Sequence, residues 1–347
     1  MEEKFYHTYF KSGDEYSYWQ LFCIKDNKIH RVSYRNSMVN HECYIPCIDL
    51  YYEEGFPLDY SLSDEENIIK ANNHFFHRDN FPGIIVCKSD LIQGEHYSNI
   101  YRPIFSLRYT KRFPTETDLK VYFPLYDRTE YISRLNQLAI IYHDLSEIFK
   151  YIEPEDPKDP KENSNMKVYG HRIRNNIILS CTEIDSMFQN LMLKNGYKSK
   201  EYRFKTNDYI KTKSILKLDQ YAIYYLRYPN LPLFSPFINW KNINSNSGIS
   251  QENNTPTKSI IWYDAYNQIK HDRIKNKKLA NLKNAVDAFS AAIILFIAQY
   301  GDDEPFWKKE LGDEISIYQK PHFEYNESYL PPISSDSTEW TEKYYQF

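Results

Sequence analysis

The stretch that decides the fold is Leu282-Lys-Asn-Ala-Val-Asp-Ala-Phe-Ser-Ala-Ala-Ile-Ile-Leu-Phe-Ile-Ala-Gln-Tyr300. Its large apolar side chains recur at spacings of four, three, four and three residues, at Leu282, Val286, Phe289, Ile293 and Phe296. This near-heptad spacing predicts a helix over about 278–300 with an apolar stripe that packs against other helices. Gly301 is a suitable residue to end that helix.

Two upstream segments have the same helical period and are the predicted partners of this helix. The first begins near Glu130 and carries apolar residues at Ile132, Leu135, Leu138, Ile141, Leu145 and Phe149. The second, from about Met166 to Lys194, carries Ile173, Ile177, Cys181, Ile184, Phe188 and Leu191. A charged, proline-rich stretch from Glu153 to Asn163 separates them and is typical of a surface linker. A fourth helix is predicted over about 258–275, so the pattern indicates a helical bundle.

The first part of the chain consists of short apolar runs separated by turns. Trp19–Ile24 and Ile29–Tyr34 flank the polar Lys25–Lys28 and predict a β-hairpin. Ile84–Cys87 and Val121–Phe123 predict short buried strands, and frequent prolines limit helices. We therefore predict an α+β protein with a mixed, mostly β N-terminal domain (1–128), an α-helical bundle (129–302) and an aromatic, acidic C-terminal tail (303–347).

The charge of the chain is unevenly distributed. The 347 residues carry a formal net charge of −4, which is not the overall signature of a nucleic-acid-binding protein. From Lys258 to Lys283, however, there are seven lysines and arginines and two aspartates, a local charge of +5. Two interpretations are open: the stretch binds an anionic ligand, or it is the solvated end of two helices.

The sequence predicts a cytoplasmic protein without membrane attachment or cofactor. Met1–Lys4 is charged and no apolar run follows it, which argues against a signal peptide. The richest apolar stretch, Ala285–Ala298, is too short to span a membrane and is interpreted as amphipathic. The nine glycines form no phosphate-binding loop, and no metal site is predicted. A zinc site at His41, Cys43, Cys47 and Cys87 is a minor alternative, because the spacing of strong zinc motifs is missing.

The main candidate for chemistry is the polar cluster within Trp262–Arg273. On a helix, Asn267 and His271 share one face and Lys270 lies beside it. Metal-independent cleavage of RNA needs a proton donor and acceptor, for which His271 is suited, and cations that stabilise the phosphorane, for which Lys270 and Arg273 are suited. Asn267 would orient a phosphate oxygen. The alternative is structural, with the histidine hydrogen-bonded to a neighbouring helix.

A second polar cluster opens the predicted helix 166–194. His171, Arg174 and Asn175 share one face, Arg172 lies to one side, and a helix N-terminus attracts phosphate. We expect His171, Arg172 and Asn175 to bind substrate and Arg174 to assist the first cluster. In a bundle the two clusters can face each other, and Glu183 either pairs with Arg174 or Lys270 or faces water. The alternative for the second cluster is a charged first turn that pairs with Glu183 or with the acidic linker.

These motifs resemble a known superfamily. Tyr266-Asn267-x-x-Lys270-His271 resembles the HEPN pattern, in which an arginine, often followed by asparagine, precedes a histidine on a bundle helix. Roughly residues 130–300 also resemble a set of uncharacterised bacterial proteins with a HEPN-like bundle. The stretches that carry this resemblance are Ile152–Pro154, Tyr169–Arg174, Cys181–Glu183, Pro236–Trp240 and Trp262–Arg273.

The resemblance implies a homodimeric helical bundle that cleaves RNA without metal, in toxin–antitoxin or antiviral systems. Asn267 and His271 match the motif, but the position of the arginine is Tyr266, which would then contact substrate. Either Arg174 or Arg273 replaces that arginine in space, or the bundle is a non-catalytic binding module in which the motif is structural. The N-terminal domain would sense a trigger or bind a partner protein.

Overall fold

The chain divides into two units, each assembled from separate segments. The computed structural model describes residues 4–12, 15–37, 47–52, 55–75, 84–88, 94–103, 127–155, 164–199, 204–240, 260–302, 307–323, 325–329 and 340–347. The sheet unit draws on 1–96, 102–124 and 323–342, and the helical unit on 97–101, 125–322 and 343–347. Residues 303–347, expected as one tail, therefore contribute to both units. The predicted strand Val121–Phe123 and the end of the linker lie outside the described residues.

The described residues form an α+β fold, with an antiparallel sheet near the N-terminus and most of the helices later. The strands are β1 (Lys4–Ser12), β2 (Glu15–Lys25), β3 (Lys28–Ser37), β4 (Cys47–Tyr52), β5 (Phe56–Pro57), β6 (Ile84–Lys88), β7 (Glu95–Tyr97), β8 (Ala222–Tyr225), β9 (Ile315–Gln319) and β10 (Thr341–Lys343). The helices are α1 (Asp64–Phe75), α2 (Arg128–Phe149), α3 (His171–Lys194), α4 (Thr206–Tyr209), α5 (Thr212–Leu216), α6 (Ile261–His271) and α7 (Leu282–Tyr300).

The main sheet has the strand order β4-β3-β2-β1-β6, with β5 paired to β3. The predicted hairpin is confirmed as β2 and β3, which are joined by the two residues Asp26 and Asn27. Both have positive φ angles, 50° and 60°, which the tight turns favoured by twisted hairpins require and which asparagine and aspartate tolerate. The predicted strand Ile84–Cys87 is confirmed within β6.

Helix α1 is a correction to the sequence analysis, which treated this region as strands and turns. Its start is a capping box: the Ser63 hydroxyl accepts from the Glu66 amide at 3.2 Å, and the Glu66 carboxylate accepts from the Ser63 amide at 2.8 Å. Ile68 and Ala71 are then buried against the sheet residues Phe22 and Ile29. The Ser-x-x-Glu pattern preceding an apolar pair was a usable sequence signal for this helix.

The predicted partner helices of the bundle are confirmed as α2 and α3. All six residues of the α3 stripe are buried, and so is the α2 stripe apart from the half-buried Ile132. Helix α3 ends at Lys194, and Gly196 follows with a φ of +73°, a conformation that favours glycine. Trp240 and Trp262 are both 2% exposed and belong to the core of the helical unit.

Helix α7 lies at the centre of the helical unit and contacts α2, α3, α6 and β8. The expectation of an amphipathic helix with one apolar stripe was wrong, because every residue except Lys283 and Asp287 is buried. By length and composition α7 could cross a membrane, but 89% of its apolar window is buried inside the protein. A helix that is buried on nearly every side is the expected core of a large helical unit.

A buried polar network closes one end of the helical unit. The Glu130 carboxylate accepts hydrogen bonds from Arg134 and Lys194, both at 2.7 Å, and from the Tyr300 hydroxyl at 3.0 Å. Burial alone would raise the pKa of Glu130, but the hydrogen bonds from Lys194 and Arg134 outweigh it and hold the pKa below its usual value. The network joins α2, the end of α3 and the end of α7 by charge-assisted hydrogen bonds.

Asn195 ties three distant segments of the helical unit together. Its side-chain amide donates to the carbonyl oxygens of Ser98 at 2.9 Å and Leu191 at 2.8 Å. Its side-chain oxygen accepts from the Tyr345 amide at 2.9 Å. The residue is 4% exposed, so each bond is made in a place that water does not reach easily. Residues 97–101 and 343–347 are thereby held against the end of α3.

Replacement of Ile293 by alanine is expected to destabilise the helical unit strongly. Ile293 is fully buried on α7, so the Ile293→Ala variant should lose about 2–5 kcal/mol of unfolding free energy. Urea unfolding followed by circular dichroism measures the loss. Ile140→Ala on α2 is the matched control, because Ile140 is 56% exposed and its truncation should cost less than about 1 kcal/mol. Equal losses in both variants would contradict the central position of α7.

Candidate functional site

Helix α6 carries the first polar cluster on its outer side. Trp262, Ala265, Tyr266 and Ile269 are buried, at the spacing of one helical face. Asn267 is half-buried, and Lys270 and His271 are exposed. His271 is the last residue of the helix, since Asp272 leaves the helical conformation with φ −142° and ψ 91°. The motif residues Asn267 and His271 are therefore presented by a helix whose other face is anchored in the core.

Arg273 does not lie on α6, so the predicted helix over 258–275 is too long at its C-terminal end. The Asp272 carboxylate accepts from the amides of Ile274 at 3.2 Å and Lys275 at 3.0 Å and forms a turn. The Asn276 side chain then donates to the Gln268 carbonyl oxygen at 3.0 Å and folds the connection back on the helix. Asp272 is thus occupied by the backbone, while the side chain of Arg273 is exposed.

The second polar cluster opens α3. His171, Arg172 and Asn175 are exposed, and Arg174 is half-buried. The Arg174 guanidinium donates to the side-chain oxygen of Asn175 at 3.2 Å. Gly170 precedes the helix in an extended conformation and provides no side-chain cap, so the first turn of α3 keeps amides without a side-chain acceptor. A helix N-terminus beside exposed basic side chains is the electrostatic environment that the sequence predicted.

Backbone pairing brings the two clusters to the same end of the helical unit. The Gly170 amide donates to the Ala280 carbonyl oxygen at 3.3 Å, and the Leu282 amide donates to the Val168 carbonyl oxygen at 2.8 Å. Tyr169 and Asn281 form an antiparallel bridge between these bonds. The start of α3 is therefore fixed beside the connection that leads from α6 to α7. In the described part of the chain, no hydrogen bond or ion pair links the clusters directly.

We call this region the basic end. Its basic side chains are exposed except for the half-buried Arg174, and they come from two segments: Lys167, His171, Arg172 and Arg174, and Lys270, His271, Arg273, Lys275, Lys277, Lys278 and Lys283. Of the acids in or beside these segments, Asp272 binds backbone amides and Asp287 lies 3.8 Å from Lys283. The basic end therefore has a local excess of positive charge on a protein with a formal net charge of −4.

The inner side of α6 carries a second group of polar residues that the sequence analysis did not bring together. The Tyr263 hydroxyl donates to the Asp185 carboxylate of α3 at 2.6 Å. Tyr266 also hydrogen-bonds Asp185, and the Lys270 ammonium donates to the Tyr266 hydroxyl at 3.2 Å. The ammonium lies 5.2 Å from the centre of the Tyr266 ring, a cation–π distance. Tyr266 is 3% exposed, so it supports Lys270 from inside rather than lining an open surface.

Asp185 is a carboxyl group in an environment that disfavours its charge. Burial raises its pKa, and the hydrogen bond from Tyr263, the charge of Lys270 and the hydrogen bond from Tyr266 only partly oppose this. The same contacts raise the pKa of Tyr263, first through burial and then through the neighbouring carboxylate. The sequence did contain a signal for this site, since Asp185 interrupts the stripe of Cys181, Ile184 and Phe188.

Glu183 does not have the expected role. The sequence analysis placed it beside Arg174 or Lys270, but its carboxylate binds Arg134 of α2 at 2.7 Å. Arg134 binds Glu130 through another nitrogen at 2.7 Å, so Glu183 belongs to the polar network at the other end of α3. Two residues along α3, about 200° around the helix axis, separate the two acids, so Glu183 faces α2 and Asp185 faces α6.

Metal binding was considered in the sequence at His41, Cys43, Cys47 and Cys87. His41 and Cys43 lie outside the described residues. Within the described ranges, no group of three or more histidine, cysteine, aspartate and glutamate side chains is arranged to hold a metal ion.

Comparison with known proteins gave no match: no family model, no curated protein and no solved structure is similar to the chain.

The Asp185→Asn variant is expected to change how stability depends on pH. The folded pKa of Asp185 is raised above the unfolded value of about 3.9, so wild-type stability should fall as pH rises from about 4 through the raised pKa. Asparagine cannot ionise and keeps an acceptor for Tyr263. The variant should therefore gain stability relative to wild type between pH 4 and neutral pH, by an amount on the order of 1 kcal/mol.

Urea unfolding of both proteins at a series of pH values measures this difference. A difference that stays constant from about pH 4 to pH 7 would show that Asp185 ionises as easily in the folded protein as in the unfolded chain.

Proposed function

We propose that the helical unit is a HEPN-like bundle that binds RNA at the basic end and cleaves it without a metal ion. The observation that carries the proposal is the backbone pairing of residues 168–170 with 280–282, which brings both basic clusters to one end of the unit. Exposed lysines and arginines from two segments suit the phosphate backbone of a nucleic acid, because each contact releases counterions and adds to affinity.

The reaction proposed is attack of a ribose 2′-hydroxyl on the adjacent phosphate, with departure of the 5′-oxygen. His271 is the proton-transfer group, since it is exposed at the end of α6 and an imidazole can both accept and donate a proton. Asn267, one turn earlier, orients a phosphate oxygen. Lys270, Arg273 and Arg174 stabilise the charge of the phosphorane, and His171, Arg172 and Asn175 hold the flanking phosphates.

Lys270 is the cation with the best-defined support. Its ammonium is hydrogen-bonded to the Tyr266 hydroxyl, which is in turn bound to the half-buried Asp185. Tyr266 therefore contributes to the proposed reaction through Lys270 and not by contact with RNA.

We further propose that the protein acts as a homodimer, because HEPN-type sites form across two copies of the bundle. Sedimentation equilibrium of the purified chain tests the dimer.

A second candidate function is RNA binding without cleavage. The burial of Tyr266 favours it, because the position that carries arginine in the HEPN pattern is occupied by a side chain that is 3% exposed. In that case the motif residues of α6 have no catalytic role, and the cations of the basic end bind RNA without cleaving it. The two candidates share the basic end and differ in the fate of the bound RNA.

Replacement of His271 by alanine is expected to abolish cleavage and leave the fold intact. Wild-type protein incubated with total RNA in EDTA should produce fragments with 2′,3′-cyclic phosphate ends. His271→Ala should reduce the rate by about 100-fold or more, because general acid–base catalysis contributes that much. The exposed side chain should change the melting temperature little. His74→Ala, an exposed histidine of the sheet unit, is the matched control and should cleave at the wild-type rate.

Cleavage by His271→Ala at the wild-type rate would show that His271 is not the proton-transfer group. A wild-type protein that binds RNA but leaves it intact in EDTA would establish the non-catalytic alternative. A large fall in melting temperature for His271→Ala, with a buried partner left unsatisfied, would favour a structural role.

Removal of charge from the basic end is expected to weaken RNA binding in a salt-dependent way. The double variant Arg172→Gln/Lys278→Gln should reduce the magnitude of the negative slope of log affinity against log salt concentration by about one to two. Each lost phosphate contact with single-stranded RNA removes about 0.7 from that magnitude. Fluorescence anisotropy over a salt series measures the slope. Lys198→Gln/Lys309→Gln removes two exposed lysines of the helical unit outside the basic end, and its slope should match wild type.

A further inference from the structure

An exposed aromatic ring lies within the basic end. Tyr169 is 43% exposed, although tyrosines 131, 209, 225, 266 and 300 of the same unit are buried. Lys167 and His171 lie two residues on either side of it, and both are exposed. An exposed ring among cations differs from an isolated surface tyrosine, because the cations can hold a phosphate chain while the ring contacts what the chain carries.

The backbone that presents Tyr169 is fixed on both sides. Val168 and Gly170 are bonded to Leu282 and Ala280, at 2.8 Å and 3.3 Å, and Tyr169 itself bridges Asn281. Lys283 is exposed two residues beyond Asn281 on the paired segment. The ring is thus attached to a backbone that is ordered before any ligand binds, and little additional conformational entropy is lost on binding.

We infer that Tyr169 is a stacking platform for an unpaired nucleobase, so that the basic end takes RNA in single-stranded form. This inference rests on the proposed RNA binding and names its substrate class. A tyrosine ring offers its face to any base, whereas the bases of a duplex are stacked on one another and present only their edges in the grooves. The surrounding lysines, arginine and histidine bind the phosphates on either side of the stacked nucleotide.

The test uses binding of a ligand that cannot be cleaved. A short, fluorescently labelled 2′-O-methyl oligoadenylate lacks the attacking hydroxyl, and a matched oligomer with abasic positions keeps the phosphates but not the bases. Tyr169→Ala should weaken binding of the oligoadenylate about tenfold and leave the abasic oligomer within about twofold of wild type. The salt slope should not change, because no phosphate contact is lost. Tyr169→Phe keeps the ring and should bind as wild type does.

Tyr151→Ala is the matched control, because Tyr151 is 81% exposed and lies outside the two segments of the basic end. It should bind both oligomers as wild type does. Thermal unfolding of each variant separates a loss of binding from a loss of fold. If the alanine variant unfolds, wild type decides the test, since equal affinity of wild type for the oligoadenylate and the abasic oligomer would overturn the stacking role. Weaker binding by Tyr169→Phe equal to that of the alanine variant would overturn the stacking role.

Failure of this inference is distinguishable from failure of the proposed function. If Tyr169→Ala binds the oligoadenylate as wild type does while Arg172→Gln/Lys278→Gln binds it weakly, the basic end binds RNA but Tyr169 does not stack a base. Equal weakening of both oligomers by Tyr169→Ala would also overturn the inference. If wild type binds neither oligomer, or the charge variants bind normally, the proposed RNA binding itself is wrong.

Discussion

The nearly complete burial of α7 is the constraint on which the helical unit depends. A helix with almost no solvent face can be stable in water only if other elements cover most of its circumference, and α2, α3, α6 and β8 contact it. The basic end forms where α7 begins, and the Glu130 network forms where α7 finishes. Both polar regions therefore owe their positions to the same apolar element.

Helix α6 separates two kinds of polar chemistry. Its inner side places phenols beside the half-buried carboxyl of Asp185, where limited access of water raises the pKa of that acid. Its outer side places Asn267 and His271 with the exposed cations. Lys270 connects the two, since its ammonium is exposed while its hydrogen-bond partner Tyr266 is buried. Because its hydrogen-bond partner is fixed in the core, the Lys270 ammonium has fewer orientations than it would have on a fully solvated side chain.

Local sequence was sufficient where short-range rules decide the structure. The Asp26-Asn27 hairpin, the stripes of α2 and α3 and the end of α3 before Gly196 all follow from spacing and turn chemistry. Similar reasoning failed where the partner of a side chain lies far away in the chain. Glu183 and Asp185 are two residues apart, yet one binds α2 and the other α6, and spacing alone cannot choose between those neighbours.

The candidate site likewise has features that local sequence predicts and features that depend on distant parts of the chain. The exposure of His271, Arg273 and Arg172 agrees with what charged residues at helix ends predict. The backbone pairing of residues 168–170 with residues 280–282 was not predictable, because neither segment has the alternating apolar pattern that indicates a strand. The burial of Tyr266 also depends on its position relative to the α3 face that holds Asp185. Helix α1 is a different case, since its Ser63–Glu66 capping box was visible in the sequence and was outweighed by the surrounding prolines.

The hydrogen bonds of the Asn195 side chain have a consequence for how the protein is synthesised. Residues 97–101 leave the ribosome before α2 and α3, but residues 343–347, which complete the hydrogen bonds of Asn195, are synthesised some 150 positions after it. During translation the side-chain oxygen of Asn195 thus lacks its native donor until nearly all of the helical unit has emerged. The hydrogen bonds of Asn195 are therefore completed only after residues 343–347 have been synthesised, and a nascent chain interrupted before residue 343 carries a helical unit whose end is still open.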